Sequence, residues 1–87
     1  MKIIVEMKVY TENSGYGHTE TIDNQVSDYY GADYTAEQYV NDCNLTPGDY
    51  LADDQYAIIQ LSVYEPDVDP MFDEPVAVSE TTVSADD

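Results

Sequence analysis

MKIIVEMKVY, residues 1–10, places Ile3, Val5, Met7 and Val9 on one side of an extended chain and Ile4, Glu6 and Lys8 on the other. Side chains alternating with period two mark a half-buried strand. YAIIQLSVY, residues 56–64, repeats the pattern, with Ala57, Ile59, Leu61 and Val63 opposite Tyr56, Ile58, Gln60, Ser62 and Tyr64. These are the most apolar segments of the chain and each leaves a face to cover, so they are expected to pair as neighbours in one sheet. At 87 residues there is room for one small domain, and cores of that size leave about 3–5 kcal/mol of net stability.

The material between them is mixed. ENSGYGHT, residues 12–19, reads as a turn or exposed loop, with a short extra strand near His18–Ile22 as an option. The apolar positions Ile22, Val26, Tyr29 and Tyr30 are then spaced as on a helix, and Gly31 follows where a C-terminal cap would sit, which predicts a short helix near 22–30. TAEQ, residues 35–38, is a capping box in which Thr35 caps the first turn and Gln38 reaches back. It predicts a second helix near 36–43, with Tyr39, Val40 and Cys43 buried, ended by the Pro-Gly turn of NLTPGDY, residues 44–50. After Glu65 the chain turns to prolines and acids around Met71 and Phe72, then to small polar residues.

The expected architecture is therefore α+β. A small antiparallel sheet has strands near 2–11 and 55–65, with one or two short extra strands, and one or two short helices near 22–30 and 36–43 accompany it. Residues 1–65 form the domain. Residues 66–87 form an acidic extended tail, which Val76 and Val78 could attach as an edge strand and Met71 and Phe72 could pin to the domain.

Nineteen acids stand against two lysines, Lys2 and Lys8, for a net charge of -17. Self-repulsion at that level works against compaction, and it disfavours attraction to nucleic acid or to an anionic membrane. A single cysteine, Cys43, excludes an internal disulfide and fits a reducing, cytoplasmic setting, and the charged residues inside 1–10 leave no signal-peptide core. Catalysis has little to draw on: one histidine, His18, in a glycine-bearing loop, one cysteine without a neighbouring base, and no arginine. DVDPMFDE, residues 67–74, gathers hard oxygen ligands but has no glycine where a calcium loop needs one. No catalytic residue, metal or cofactor is expected.

What remains is the charge. DYYGADYTAEQYVND, residues 28–42, carries Asp28, Asp33, Glu37 and Asp42 interleaved with Tyr29, Tyr30 and Tyr34, and it contains no base. Carboxylates three or four apart on a helix, or two apart on a strand, lie ~5–7 Å from one another and resemble a row of phosphates. Asp49, Asp53 and Asp54 extend the row in sequence, as do Glu65, Asp67, Asp69, Asp73 and Glu74. These acids, with the three tyrosines as stacking or anchoring groups, are the expected partner-binding residues.

With DYYGADYTAEQYVND and DYLADD, residues 49–54, as its expected surface, this small, acidic, tyrosine-rich chain resembles the phage and mobile-element inhibitors of host defence. These are the anti-CRISPR and anti-restriction proteins that mimic nucleic acid. The resemblance lies in size and composition over the whole chain. It implies a partner that is a basic nucleic-acid-binding protein of the host, a CRISPR effector or a restriction enzyme, met in the host cytoplasm, with no direct contact to nucleic acid or membrane. A homodimer is compatible with it. Three other readings stay open: an acidic protein-binding adaptor, a halophilic structural protein whose carboxylates hold a hydrated ionic shell, and a metal-buffering protein that would gain stability with calcium.

Overall fold

The alternation of residues 2–10 and 56–64 becomes the centre of a sheet. In a computed structural model, which describes residues 1–13, 15–49 and 51–85, Lys2–Thr11 form β1, Gly15–Val26 form β2, Gln55–Tyr64 form β3 and Ala77–Ser84 form β4. The four strands run in the order β2-β1-β3-β4, every neighbour antiparallel. β1 and β3 lie side by side as expected, Ile3 facing Val63, Val5 facing Leu61 and Met7 facing Ile59. Antiparallel order lets a sheet bury one face and leave the other in water, and the alternation is used that way. Ile3, Val5, Ala57, Ile59, Leu61 and Val63 have no exposed surface, whereas Ile4, Glu6, Lys8, Ile58 and Gln60 are half-buried on the opposite face.

The buried face is closed by residues 27–51. The Ala36–Asp42 segment forms α1, and its capping box is present as the sequence predicts, Gln38 N donating to Thr35 Oγ1 and Thr35 N to Gln38 Oε1. At the other end Asn44 adopts φ 50°, the left-handed conformation that asparagine tolerates. Leu45 N then donates to Val40 O and Asn44 N to Asn41 O, a Schellman ending in which Val40 and Leu45 both pack on the core. Seven residues make a marginal helix in isolation. Two caps and the burial of Ala36 and Tyr39 hold this one, and Ala36 N is tied to the sheet through Ser79 Oγ. Leu51 follows a 3-10 turn at Pro47–Asp49 and completes the cover.

Several expectations are corrected. No helix forms near 22–30, because Ile22 and Val26 belong to β2 and residues 27–30 make a turn held to Met1. The four-residue spacing has a different origin: Val5 faces Asp23 while Glu6 faces Thr21, so Ile22 is the extra residue of a bulge. Gly31 caps no helix. His18 lies exposed in β2, not in a loop, and Cys43 is exposed at the end of α1 rather than buried. Within the expected tail over 66–87, Ala77–Ser84 form β4, the edge strand offered for Val76 and Val78, though Val83 is its buried residue; residues 86–87 lie outside the described part. Met71 and Phe72 pin nothing; they are 85% and 83% exposed.

Candidate partner-binding surface

The acids expected to meet a partner sit on three parts of this frame. Asp28, Asp33, Glu37 and Asp42 belong to the layer covering the sheet, and all four are exposed. Asp49, Asp53 and Asp54 lie at the start of β3, where Glu12 N donates to Asp54 O. Glu65, Asp67, Asp69, Asp73 and Glu74 lie in the connection after β3, and every one of these eight is exposed as well. The ten residues of β3 separate the last two groups, by about 33 Å at ~3.3 Å per residue. The row that is continuous in sequence is thus divided between the two ends of the sheet. Asp28 joins the Glu65–Glu74 end, since Ser27 N donates to Met1 O and the neighbouring Lys2 pairs with Tyr64.

Within the covering layer the acids are not equivalent. Asp42 Oδ2 accepts from Tyr34 Oη at 2.9 Å and from Tyr29 Oη at 3.1 Å. Its position in the last turn of α1 opposes the helix dipole by about 0.3–1 kcal/mol, and two hydroxyl donors to a charged acceptor offset that. Tyr29, Tyr30 and Tyr34 pack edge to face, with ring centroids 4.8–5.8 Å apart. Tyr30 Oη donates to Gln25 Oε1 at 2.8 Å and Tyr39 Oη to Asp23 Oδ2 at 2.8 Å, so the same layer is also bonded down to β2. Asp28, Asp33 and Glu37 have no such engagement among the described residues. Asp42 and Tyr34, expected to face a partner, are instead the joint of the covering layer, with Tyr34 buried.

The electrostatics follow the same division. Burial first, and then the bond to Asp42, push the Tyr34 hydroxyl well above its ordinary range. Burial, and then the bond to Asp23, do the same for Tyr39. Tyr29 is raised chiefly by its hydrogen bond to Asp42, and Tyr30 chiefly by burial and by the charge of Asp23. All four tyrosines are therefore neutral donors under ordinary conditions, and Tyr29 alone of the expected three keeps most of its surface, 69% exposed.

The connection after β3 has its own order. Phe72 N and Asp73 N donate to Asp69 O, Met71 N to Asp69 Oδ1, and Asp69 N to Asp73 Oδ2. Asp69 and Asp73 thus use part of their acceptor capacity to fold a turn with Met71 and Phe72 on its outside. Sequence reasoning assigned these two an anchoring role; their flanking prolines and acids were the available signal that the segment stays outside the core. Asp23 and Tyr39, which fix the layer to the sheet, were not expected as a pair because sixteen residues separate them.

Beside this layer an open hollow of about 270 Å³ is lined by Met7, Glu20, Ile22 and Leu45. Among the described residues no three histidine, cysteine, aspartate or glutamate side chains converge as a metal site would require, and no helix is long and apolar enough to cross a membrane. No family model, curated protein or solved structure matches the chain.

Proposed function

We propose that the chain is a non-enzymatic acidic inhibitor that occupies the basic nucleic-acid-binding surface of a host defence protein, a CRISPR effector or a restriction enzyme, by presenting carboxylates in place of phosphates. One observation carries this reading: Asp28, Asp33, Glu37, Asp53, Asp54, Glu65, Asp67 and Glu74 are all exposed, in a chain with only two bases. Their neighbours do not consume them. The two acidic ends of the sheet are about 33 Å apart by strand length, close to the ~34 Å of one duplex turn. A rigid body of this size suits a groove that holds about one turn of DNA.

The test is capture from bacterial lysate on the immobilised protein, eluted first by a salt gradient and then by short duplex DNA. Release of a nucleic-acid enzyme by both treatments supports the reading, because salt screens the contacts and DNA competes for the same surface. Neutralising Asp28, Asp33, Glu37, Glu65 and Asp67 together should abolish capture while leaving the fold intact. Asp42 is kept, since two tyrosines depend on it. Capture unaffected by this variant, or no capture at all, would sink the proposal.

A second reading is favoured by Met71 and Phe72. Two large apolar side chains more than four-fifths exposed have no counterpart in a phosphate backbone. They fit an acidic adaptor that seats the pair in an apolar pocket rimmed by basic residues. Release by salt but not by DNA, with loss of capture in Met71→Ser/Phe72→Ser, would favour it.

A further inference from the structure

The face of the sheet turned away from α1 is the neutral part of a chain with net charge -17. It carries both lysines, Lys2 and Lys8, against Glu6 on β1 and Glu80 on β4. Around Glu6, Gln60 and Lys8 at its centre it carries Ile4, Ile58, Tyr10 and Tyr56, all half-buried, and Tyr10 and Tyr56 stack with ring centroids 5.3 Å apart. The packing of α1 and of the 3-10 turn against β3 and β4 lies on the other side. A basic partner gains nothing from a neutral face, and the acidic surfaces of another copy repel any acidic neighbour. The same face of a second copy is complementary to it.

We propose that this open face is a self-association surface, on which a second copy packs face to face about a two-fold axis crossing β1 between Glu6 and Lys8. Such an axis makes the contact isologous. Glu6 then stands over Lys8 of the second copy and Lys8 over its Glu6, while Tyr10 stands over Ile4. Packed sheets lie about 10 Å apart, a gap that a glutamate and a lysine span between them. Lys2 Nζ donates to Val68 O, which shows the connection after β3 rising beside that end of the face. The axis places it beyond the Thr11 end of the opposing β1, beside that copy's Glu12, Asp53 and Asp54, so like charges meet there at low salt.

Four strands ~4.8 Å apart, over the length from Ile4 to Tyr10, cover roughly 20 by 23 Å, so the pair buries about 1,000 Å² in all. That is the lower bound of a specific interface, and it predicts a reversible dimer. Two bodies of like charge repel at long range while the contact itself is charge-matched and partly apolar. Added salt should therefore tighten the dimer, the opposite of its effect on a basic partner. The inference is independent of the inhibitor reading and survives its failure.

The experiment is sedimentation equilibrium of the protein between about 0.05 and about 0.5 M salt, with Glu6→Lys, Lys8→Glu and the double reversal. A monomer–dimer equilibrium that strengthens with salt is expected. Each single reversal should weaken it about tenfold or more, and both the double reversal and an equimolar mixture of the two single variants should restore it. A monomer at every concentration and salt, or single reversals that associate as the parent does, would overturn the proposal. So would single reversals that weaken association without recovery on mixing, because that pattern denies the pairing of Glu6 with Lys8.

Discussion

On the covered face of the sheet Ile3, Val5, Ile59, Leu61 and Val63 are wholly buried, while one residue along the same strands Ile4, Glu6, Lys8 and Ile58 are only half-buried on the open face. The covered face is aliphatic and closed by hydroxyl-to-carboxylate bonds at its rim, Tyr39 to Asp23 and Tyr34 to Asp42. The open face mixes apolar, aromatic and charged side chains. A single alternation thus supplies one face whose burial holds the fold and one face left open to solvent. Stability should be far more sensitive to change on the first.

The largest contrast is between adjacent residues of β3. Ile59→Ala should cost about 2–5 kcal/mol, enough to unfold a domain of this size, whereas Ile58→Ala should cost about 1 kcal/mol. Urea denaturation of the two variants measures this, and equal midpoints would erase the distinction between the faces. Next comes the rim. Tyr39→Phe removes a donor to a charged acceptor and should lower stability by about 1–2 kcal/mol.

The same hydroxyls predict a pH dependence. Tyr34 and Tyr39 ionise well above their ordinary range in the folded state, while an unfolded tyrosine ionises near 10. The folded chain therefore holds these protons after the unfolded chain has released them. Their contribution is complete below about pH 10 and is lost as pH rises from there toward the folded values. Urea midpoints should fall above about pH 10, and by less in Tyr39→Phe than in the parent. A steeper fall in the variant would remove Tyr39 as a source. The smallest effect is at the helix start, where Thr35→Ala should cost about 1 kcal/mol by deleting the capping box, read as a shift in the same denaturation curve.

The central pair of strands was legible in the sequence because β1 and β3 are flanked on both sides, so their apolar residues repeat without interruption. The helix was legible through its cap, a local chemistry that needs no tertiary contact. β2 was not, for two physical reasons. As an edge strand it turns His18, Glu20, Asp23 and Gln25 toward the covered side, opposite Val9, Met7, Val5 and Ile3, so no apolar alternation marks it. Its bulge at Ile22 then shifts the period and leaves Ile22 and Val26 at helical spacing. For the edge strand the sequence singled out Val76 and Val78, but Val76 precedes β4, Val78 is 50% exposed, and Val83 is the buried residue. For the candidate surface, the exposure of the acids was legible from composition. Their division between the two ends of the sheet was not, since it depends on the direction of β3. The use of Asp42 as an acceptor for two tyrosines depends on a turn at residues 27–35 that no periodicity encodes.

β2 and β4 end the sheet on either side, twelve and eight residues long, and each presents a row of backbone groups suited to receiving another strand. Glu20 and Asp23 on one and Glu80 on the other set carboxylates along those strands, in a chain with net charge -17. Near the sequence isoelectric point of about 4.1 the net charge that keeps copies apart vanishes. Acid should then drive the protein out of solution by edge-to-edge growth into fibrils, and the negative charge would be a colloidal safeguard for an open sheet as well as a means of recognition.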